Sequence, residues 1–130
     1  MSDNPAFAST PNVGSGLTPA TADTSRTAPS NATSIFTAGA SGARVEEIVM
    51  QGVGATAVGV ICVFRYDGAS YHLIDEFLMA AVTPSTTVKA HRESRTYNTL
   101  ILAATEEIRI TTQHASNEEK VECTVFGGDF

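Results

Sequence analysis

Ala57-Val-Gly-Val-Ile-Cys-Val-Phe-Arg-Tyr-Asp-Gly-Ala-Ser-Tyr-His-Leu-Ile-Asp-Glu-Phe-Leu-Met79 reads as two strands joined by a tight turn. Val58, Val60, Cys62, Phe64 and Tyr66 recur at period two on one face, and Ile61 and Val63 occupy the other. β-Branched and aromatic residues dominate the run, and they fit a pleated surface better than a helix. Asp67-Gly68 breaks it, since Gly supplies the positive φ of a hairpin turn and Asp tolerates it. Tyr71, Leu73 and Phe77 then resume an apolar face. The first strand is apolar on both sides, so the hairpin belongs at the centre of a sheet with both faces covered. Phe64 is expected between two sheets.

Further strands are expected around this hairpin. Ser34 to Thr37 is a short one, followed by a turn at Ala38-Gly39-Ala40-Ser41-Gly42. Arg44 to Gln51 alternates with mixed burial, and residues 52–56 form a loop. Thr83-Pro84-Ser85 signals a turn. Thr86 to His91, Thr99 to Leu102, Glu107 to Gln113 and Val121 to Phe126 read as strands, with polar connections at Glu93-Ser94-Arg95 and His114 to Glu119. Ile74 to Val82 carries helix-forming residues and admits one helical turn. About eight strands at spacings of roughly 8–15 residues predict an all-β fold, a jelly-roll-like β-sandwich.

The first 32 residues differ in composition. They hold Pro5, Pro11, Pro19 and Pro29, four of the five prolines, among Ser, Thr, Ala, Gly and Asn. Their larger apolar side chains, Phe7, Val13 and Leu17, are isolated. Such a segment buries too little of its own surface to offset its ordering entropy. The division expected is therefore an extended arm at 1–32 and a sandwich domain at 33–130, complete without the arm. Thirty extended residues reach roughly 100 Å, enough to cross a neighbouring subunit.

Composition limits the function. A chain of 130 residues that is 42% hydrophobic builds one domain with one core. A net charge of −6 repels phosphate backbones, so nucleic acid is not an expected partner. No apolar run is long enough to span a bilayer, and Met1-Ser-Asp-Asn-Pro5 lacks the basic and apolar regions of a secretory signal. Asn31-Ala32-Thr33 matches a glycosylation acceptor, which is coincidental without such a signal. His72, His91 and His114 stand in no metal-binding spacing, and no metal or cofactor is expected. Cys62 and Cys123 lie in apolar strands and read as free buried thiols rather than a bridge. No nucleophile motif is legible, and the Gly-rich loops lead into no helix. The closing Gly127-Gly128-Asp129-Phe130 is similar to part of the diguanylate cyclase signature. It lacks the second acid and the α/β domain of roughly 150 residues that such enzymes need. It reads as a strand end with a flexible carboxyl terminus. No enzyme activity is expected.

Three stretches carry a resemblance. They are Phe36-Thr-Ala-Gly-Ala-Ser-Gly-Ala-Arg-Val-Glu-Glu-Ile48, Gly59-Val-Ile-Cys-Val-Phe-Arg-Tyr-Asp-Gly-Ala-Ser-Tyr-His-Leu73 and the terminal Phe-Gly-Gly-Asp-Phe. Together they resemble small structural proteins of tailed bacteriophages, over about residues 33 to 130. Those proteins commonly carry Leu-Pro-x-Gly before the penultimate strand, where this chain has Leu102-Ala-Ala-Thr-Glu106. The resemblance implies a virion protein on the outer capsid surface, a decoration (cement) protein bound to the major capsid protein, and transfers no catalytic residue. Phe7, Val13 and Leu17 would anchor the arm on neighbouring subunits. A homotrimer is expected, with Val53, Val82 and Phe130 at subunit contacts. The alternative is a tail or baseplate component, or a carbohydrate-binding module. Absence of Trp weighs against sugar binding, while Tyr66, Asp67, Tyr71 and Tyr97 favour it.

Overall fold

The computed structural model describes residues 9–130. Its strands are β1 (Thr10–Leu17), β2 (Thr33–Thr37), β3 (Ala43–Gly52), β4 (Gly59–Tyr66), β5 (Tyr71–Met79), β6 (Arg92–Leu102), β7 (Glu107–Thr112) and β8 (Val121–Asp129). A 3-10 turn at Ala115–Asn117 is the one helical element among the described residues. One four-stranded sheet has the order β1-β8-β3-β6 and the other β2-β7-β4-β5. Every connection except the β4–β5 hairpin passes from one sheet to the other. That wrapping makes a jelly-roll sandwich. Strand direction gathers the β1–β2, β3–β4, β5–β6 and β7–β8 connections at one end. Ser9, Phe130 and the remaining turns lie at the other.

Alternation fills the space between the sheets. Val45, Ile48, Met50, Val121, Cys123 and Val125 face Ile61, Val63, Phe77, Met79, Ile108 and Ile110, all buried in one cluster. The hairpin forms as its residues dictate, with Gly68 at φ +97 in the turn. The inward residues of β4 are Ile61 and Val63. Cys62 and Phe64 therefore face away from the sheet interface, yet both are fully buried. The expectation that Phe64 lies between the sheets is corrected: Phe64 packs edge-on against Tyr71, 5.6 Å between ring centroids.

The largest correction concerns residues 10–17. They form a strand of the sandwich, paired residue by residue with β8 from Thr10↔Asp129 to Leu17↔Glu122. The sandwich begins at Thr10 rather than near Thr33, and it is not complete without this segment. A composition argument counts the side chains a segment can bury, and β1 buries few. Its inward positions are Asn12, Gly14 and Gly16, and its order comes from the backbone ladder. Gly14 also permits close approach to β2, since a Cβ there would stand 1.9 Å from the carbonyl oxygen of Ile35.

The connection from β1 to β2 is also tied down. Thr18 is buried, donating its N–H to Val121 O and its hydroxyl to Asn117 O. The Asp23 carboxylate accepts the N–H groups of Ser25, Ser30 and Asn31, which hold its pKa below the usual carboxylate range. Asp23 N–H reaches Thr112 O on β7, and Arg26 pairs with Glu76 on β5 at 2.6 Å. Residues 23–26 thus cross the outer face of the second sheet above Cys62. The cover that β4 requires comes from the stretch expected to be an arm.

Smaller differences have local causes. Thr86 to His91 is not a strand, because the Ser85 hydroxyl accepts the N–H groups of Thr87 and Val88 and closes a turn. β6 starts at Arg92 and absorbs the expected polar connection. β5 runs unbroken to Met79, without a helical turn. β8 continues through Asp129, so the terminal motif is paired strand.

Between β6 and β7, Thr105 adopts φ +61 and Glu106 N–H bonds Ala103 O at 3.2 Å. Thr105 occupies the position of the Gly in the Leu-Pro-x-Gly pattern. A β-branched residue in the left-handed region is strained by about 1–3 kcal/mol. Thr105→Gly should therefore raise stability by on the order of 1 kcal/mol, part of the relief being lost to glycine's chain entropy. The midpoint of urea denaturation measures this, and an unchanged or lower midpoint would show an unstrained turn.

Candidate interaction surface

β1 has small residues inside and apolar ones outside. Val13 is 58% exposed and Leu17 40%. Val13 pairs with Phe126 of β8, itself 41% exposed. Strand alternation puts Pro11, Val13 and Leu17 with Phe126 on the outward face of the first sheet. At its end, Ser9, Thr10, Pro11, Glu46, Gly127 and Gly128 line a shallow groove. Val13 and Leu17, expected as anchors on a free arm, thus sit on a fixed strand. Phe7 lies outside the described residues. Phe126, which sequence reasoning took only as the close of a strand, joins them. Its signal was its even spacing with Glu122 and Thr124, the outward positions of β8.

The terminal motif has a structural task. The Asp129 carboxylate accepts the Gly39 N–H at 3.1 Å and the Asn12 side-chain amide at 2.9 Å. Phe130 N–H reaches Gly42 O at 3.2 Å. Gly127 lies against the bulge of β3, where a Cβ would come within 2.3 Å of Arg44 O. Two stretches that carry the phage resemblance, Ala38–Gly42 and Phe126–Phe130, therefore meet and lock β1, β2, β3 and β8 at one end.

The expected subunit contacts divide. Val53 is 54% exposed in the β3–β4 loop, and Val82, half-buried, bridges to Thr56 nearby. Phe130 lies at the opposite end of the sandwich, beside Gly42. The three do not form one surface.

Tyr66 and Tyr71 lie side by side on the outer face of the second sheet, ring centroids 4.7 Å apart and planes tilted by 43°. Arg109 lies 3.8 Å over the Tyr66 ring, donates to the Tyr71 hydroxyl at 2.8 Å and pairs with Glu107 at 3.0 Å. The ring face that a sugar would stack on carries a guanidinium instead. Asp67 caps the hairpin turn, accepting Ala69 and Ser70 N–H, and contacts His72 at 2.9 Å. His91 lies by Glu93, and the His114 ring accepts Ser116 N–H, so the three imidazoles serve separate local contacts. Cys62 and Cys123 are free and lie in different sheets, with burial raising both thiol pKa values. Among the described residues, no group of three or more His, Cys, Asp or Glu is placed to hold a metal ion. No helix there is long and apolar enough to cross a membrane.

The β5 and β6 edges meet where the two sheets open. The Asp75 carboxylate binds Arg95 and accepts the Tyr97 hydroxyl at 2.5 Å. Arg95 also lies 4.9 Å over the Phe77 ring. Beside this clasp, Ile74, Tyr97, Asn98, Thr99 and Leu100 line an open groove of roughly 210 Å³.

Burial first, and then the bond to Asp75, push the Tyr97 pKa above the ordinary phenol range. The folded state therefore holds this proton more tightly than the unfolded chain, whose tyrosine ionises near pH 10. Its contribution to stability is full below that pH and is lost as pH rises through the higher folded value. Tyr97→Phe should lower stability at pH 7 by about 1.5–3 kcal/mol, the range for a hydrogen bond to a charged group. It should also flatten the fall of stability above about pH 10. Denaturation curves across that range test both, and an unchanged slope would remove Tyr97 from the clasp.

Comparison of the chain with protein-family models, with curated proteins and with solved structures finds no match.

Proposed function

We propose that this protein is a structural virion component that decorates and stabilises a bacteriophage capsid shell. The observation that carries the reading is the outward row of Val13, Leu17 and Phe126 on one sheet of a jelly-roll sandwich. Exposed apolar side chains gathered on one face suit a partner surface better than solvent. Eight-stranded jelly rolls occur in viral capsid domains and also in lectins, so fold alone does not assign function. The resemblance of residues 36–48, 59–73 and 126–130 to phage structural proteins supplies the partner, the major capsid protein. Net negative charge keeps such a protein soluble and off the packaged genome.

The surface role assigned here to Val13 and Leu17 differs from that of anchors on a free arm. They bind as part of a rigid sheet, so little ordering entropy opposes them. The segment before Ser9, with Phe7, remains the part that clamps a neighbour.

Capsids stripped of decoration should bind the purified protein in co-sedimentation. Val13→Ser and Phe126→Ser should each leave the fold intact, because both side chains are exposed. Each should weaken binding about tenfold or more, since burying such a side chain contributes roughly 1.5–3 kcal/mol. Unchanged affinity in both variants would reject this surface. Binding to tails or to glycans in place of capsids would replace the decoration role with the tail, baseplate or carbohydrate-binding alternative.

A further inference from the structure

We propose that the free edge of β1 receives an extended segment of the partner protein, which adds to the first sheet as a further strand. The proposal rests on the decorating role only for the identity of that partner. Each sheet has two outer strands, β1 and β6 in one and β2 and β5 in the other. Among the described residues, three of these four edges are blunted by short length, broken register or charge, devices that discourage an added strand. β2 is five residues long, and its register breaks between Ser34 and Phe36. β5 breaks register at Ile74 and carries Asp75 and Glu76. β6 breaks it at residues 97–99 and carries Arg92, Glu93 and Arg95. β1 keeps one register from Thr10↔Asp129 to Leu17↔Glu122 and holds no charged side chain. Pro11, without an N–H, closes only its beginning.

The hydrogen-bond phase tells which groups the edge offers. Thr18 N–H bonds Val121 O, which continues the register with β8 as a hydrogen-bonded pair. Antiparallel bonding alternates along a strand, so Gly16, Gly14, Asn12 and Thr10 also turn their main chain to β8. Val13, Ser15 and Leu17 turn theirs the other way. β2 does not fill that side. A Cβ at Gly14 would strike the Ile35 carbonyl, and one at Gly16 would approach the side chains of Ile35 and Thr33, so β2 lies beneath β1 rather than beside it. The same three residues point their exposed side chains outward, beside Phe126. Main-chain groups give an added strand its affinity, and the neighbouring side chains select its sequence. Apolar residues at alternate positions of the visitor would lie beside Val13 and Leu17. Carboxylates stand at both ends of the row. Glu46 lines the groove with Pro11 and Gly128, and the exposed Glu122 faces Leu17 across the ladder. Glu46 is shared with Arg44, so a cation beside Glu122 contributes more. The segment that fits is extended, apolar at every second position and basic at its ends.

The test uses the full-length protein, stripped capsids and the synthetic peptide Lys-Thr-Val-Thr-Val-Thr-Val-Thr-Lys as a strand probe. Added to isotope-labelled protein, the peptide should shift the amide resonances of Val13, Ser15 and Leu17 and slow their hydrogen exchange. The same peptide with Glu in place of both Lys should bind at least threefold more weakly at low salt. Ser15→Pro removes an N–H from the free edge and none from the ladder with β8, in the phase that Pro11 already occupies, so the fold should persist. It should weaken binding of the peptide and of capsids at least tenfold. Should that variant fail to fold, the exchange of the three amides in unaltered protein, with and without peptide or capsids, decides alone. Peptide shifts confined to other residues, or a folded Ser15→Pro that binds as the unaltered protein does, would overturn the proposal. So would protection of the three amides in the protein alone that is lost on deleting residues 1–8, since the chain's own N-terminal segment would then fill the edge. Full capsid binding by Ser15→Pro, with weakened binding by Val13→Ser and Phe126→Ser, would leave the decorating role standing and reject the added strand. Peptide binding at this edge without any capsid binding would reject the decorating role and leave β1 as the strand acceptor for another partner.

Discussion

The fold depends on the pairing of β1 with β8. Eight consecutive residue pairs hold a strand whose inward side chains contribute almost nothing to the core. Backbone hydrogen bonds and the bareness of Gly14 do the work that apolar side chains do elsewhere. Because Gly14 lets β1 lie against Ile35, the sheets close tightly at this edge. At the opposite edge the same opening is bridged by side chains, Arg95 and Tyr97 from one sheet meeting Asp75 from the other. The sandwich is thus sealed on one side by absence of bulk and on the other by a polar clasp. The pairing also sets the direction in which the chain leaves Leu17, and so carries residues 18–32 over the second sheet.

That dependence explains what could be read in advance. The hairpin of β4 and β5, and the strands β3 and β7, announce themselves because their order comes from apolar side chains at period two. Apolarity on both faces of β4 correctly required a cover. The identity of the cover was not legible, since Thr24 and Arg26 are polar and their contacts, Gln113 and Glu76, lie far along the chain. β1 was missed for a related reason. Pro11, Gly14 and Gly16 lower strand propensity, and nothing local records that β8 offers an unpaired edge. Thr86 to His91 erred in the other direction, because a serine turn outcompeted its β-branched residues. Gly127–Phe130 reads as a strand end with a flexible terminus, whereas in the fold Gly127 permits contact with the β3 bulge.

The same logic orders the candidate surface. A strand that spends its inward positions on glycine has only its outward positions left for apolar residues, and Val13 and Leu17 take them. Paired with Phe126, they form a patch no single stretch of sequence displays, since its members are more than a hundred residues apart. Sequence reasoning singles out Val13 and Leu17 on a free arm, whereas the fold places both on a paired strand. Residues 38–42 and 126–130 prove to be one device in two pieces, with Asp129 joining the β2–β3 turn to the last strand. The decorating role proposed for the chain rests on the outward patch rather than on this device.

Amide hydrogen exchange on the isolated full-length protein tests the central claim most directly. If β1 is part of the sandwich, the amides of residues 10–17 that point toward β8 should be protected within the same range as those of β8 itself, because one opening exposes both. If residues 10–17 are an arm that orders only on a partner, they should exchange at the rate of an unstructured chain while β3, β4, β7 and β8 stay protected. That second result would contradict the account.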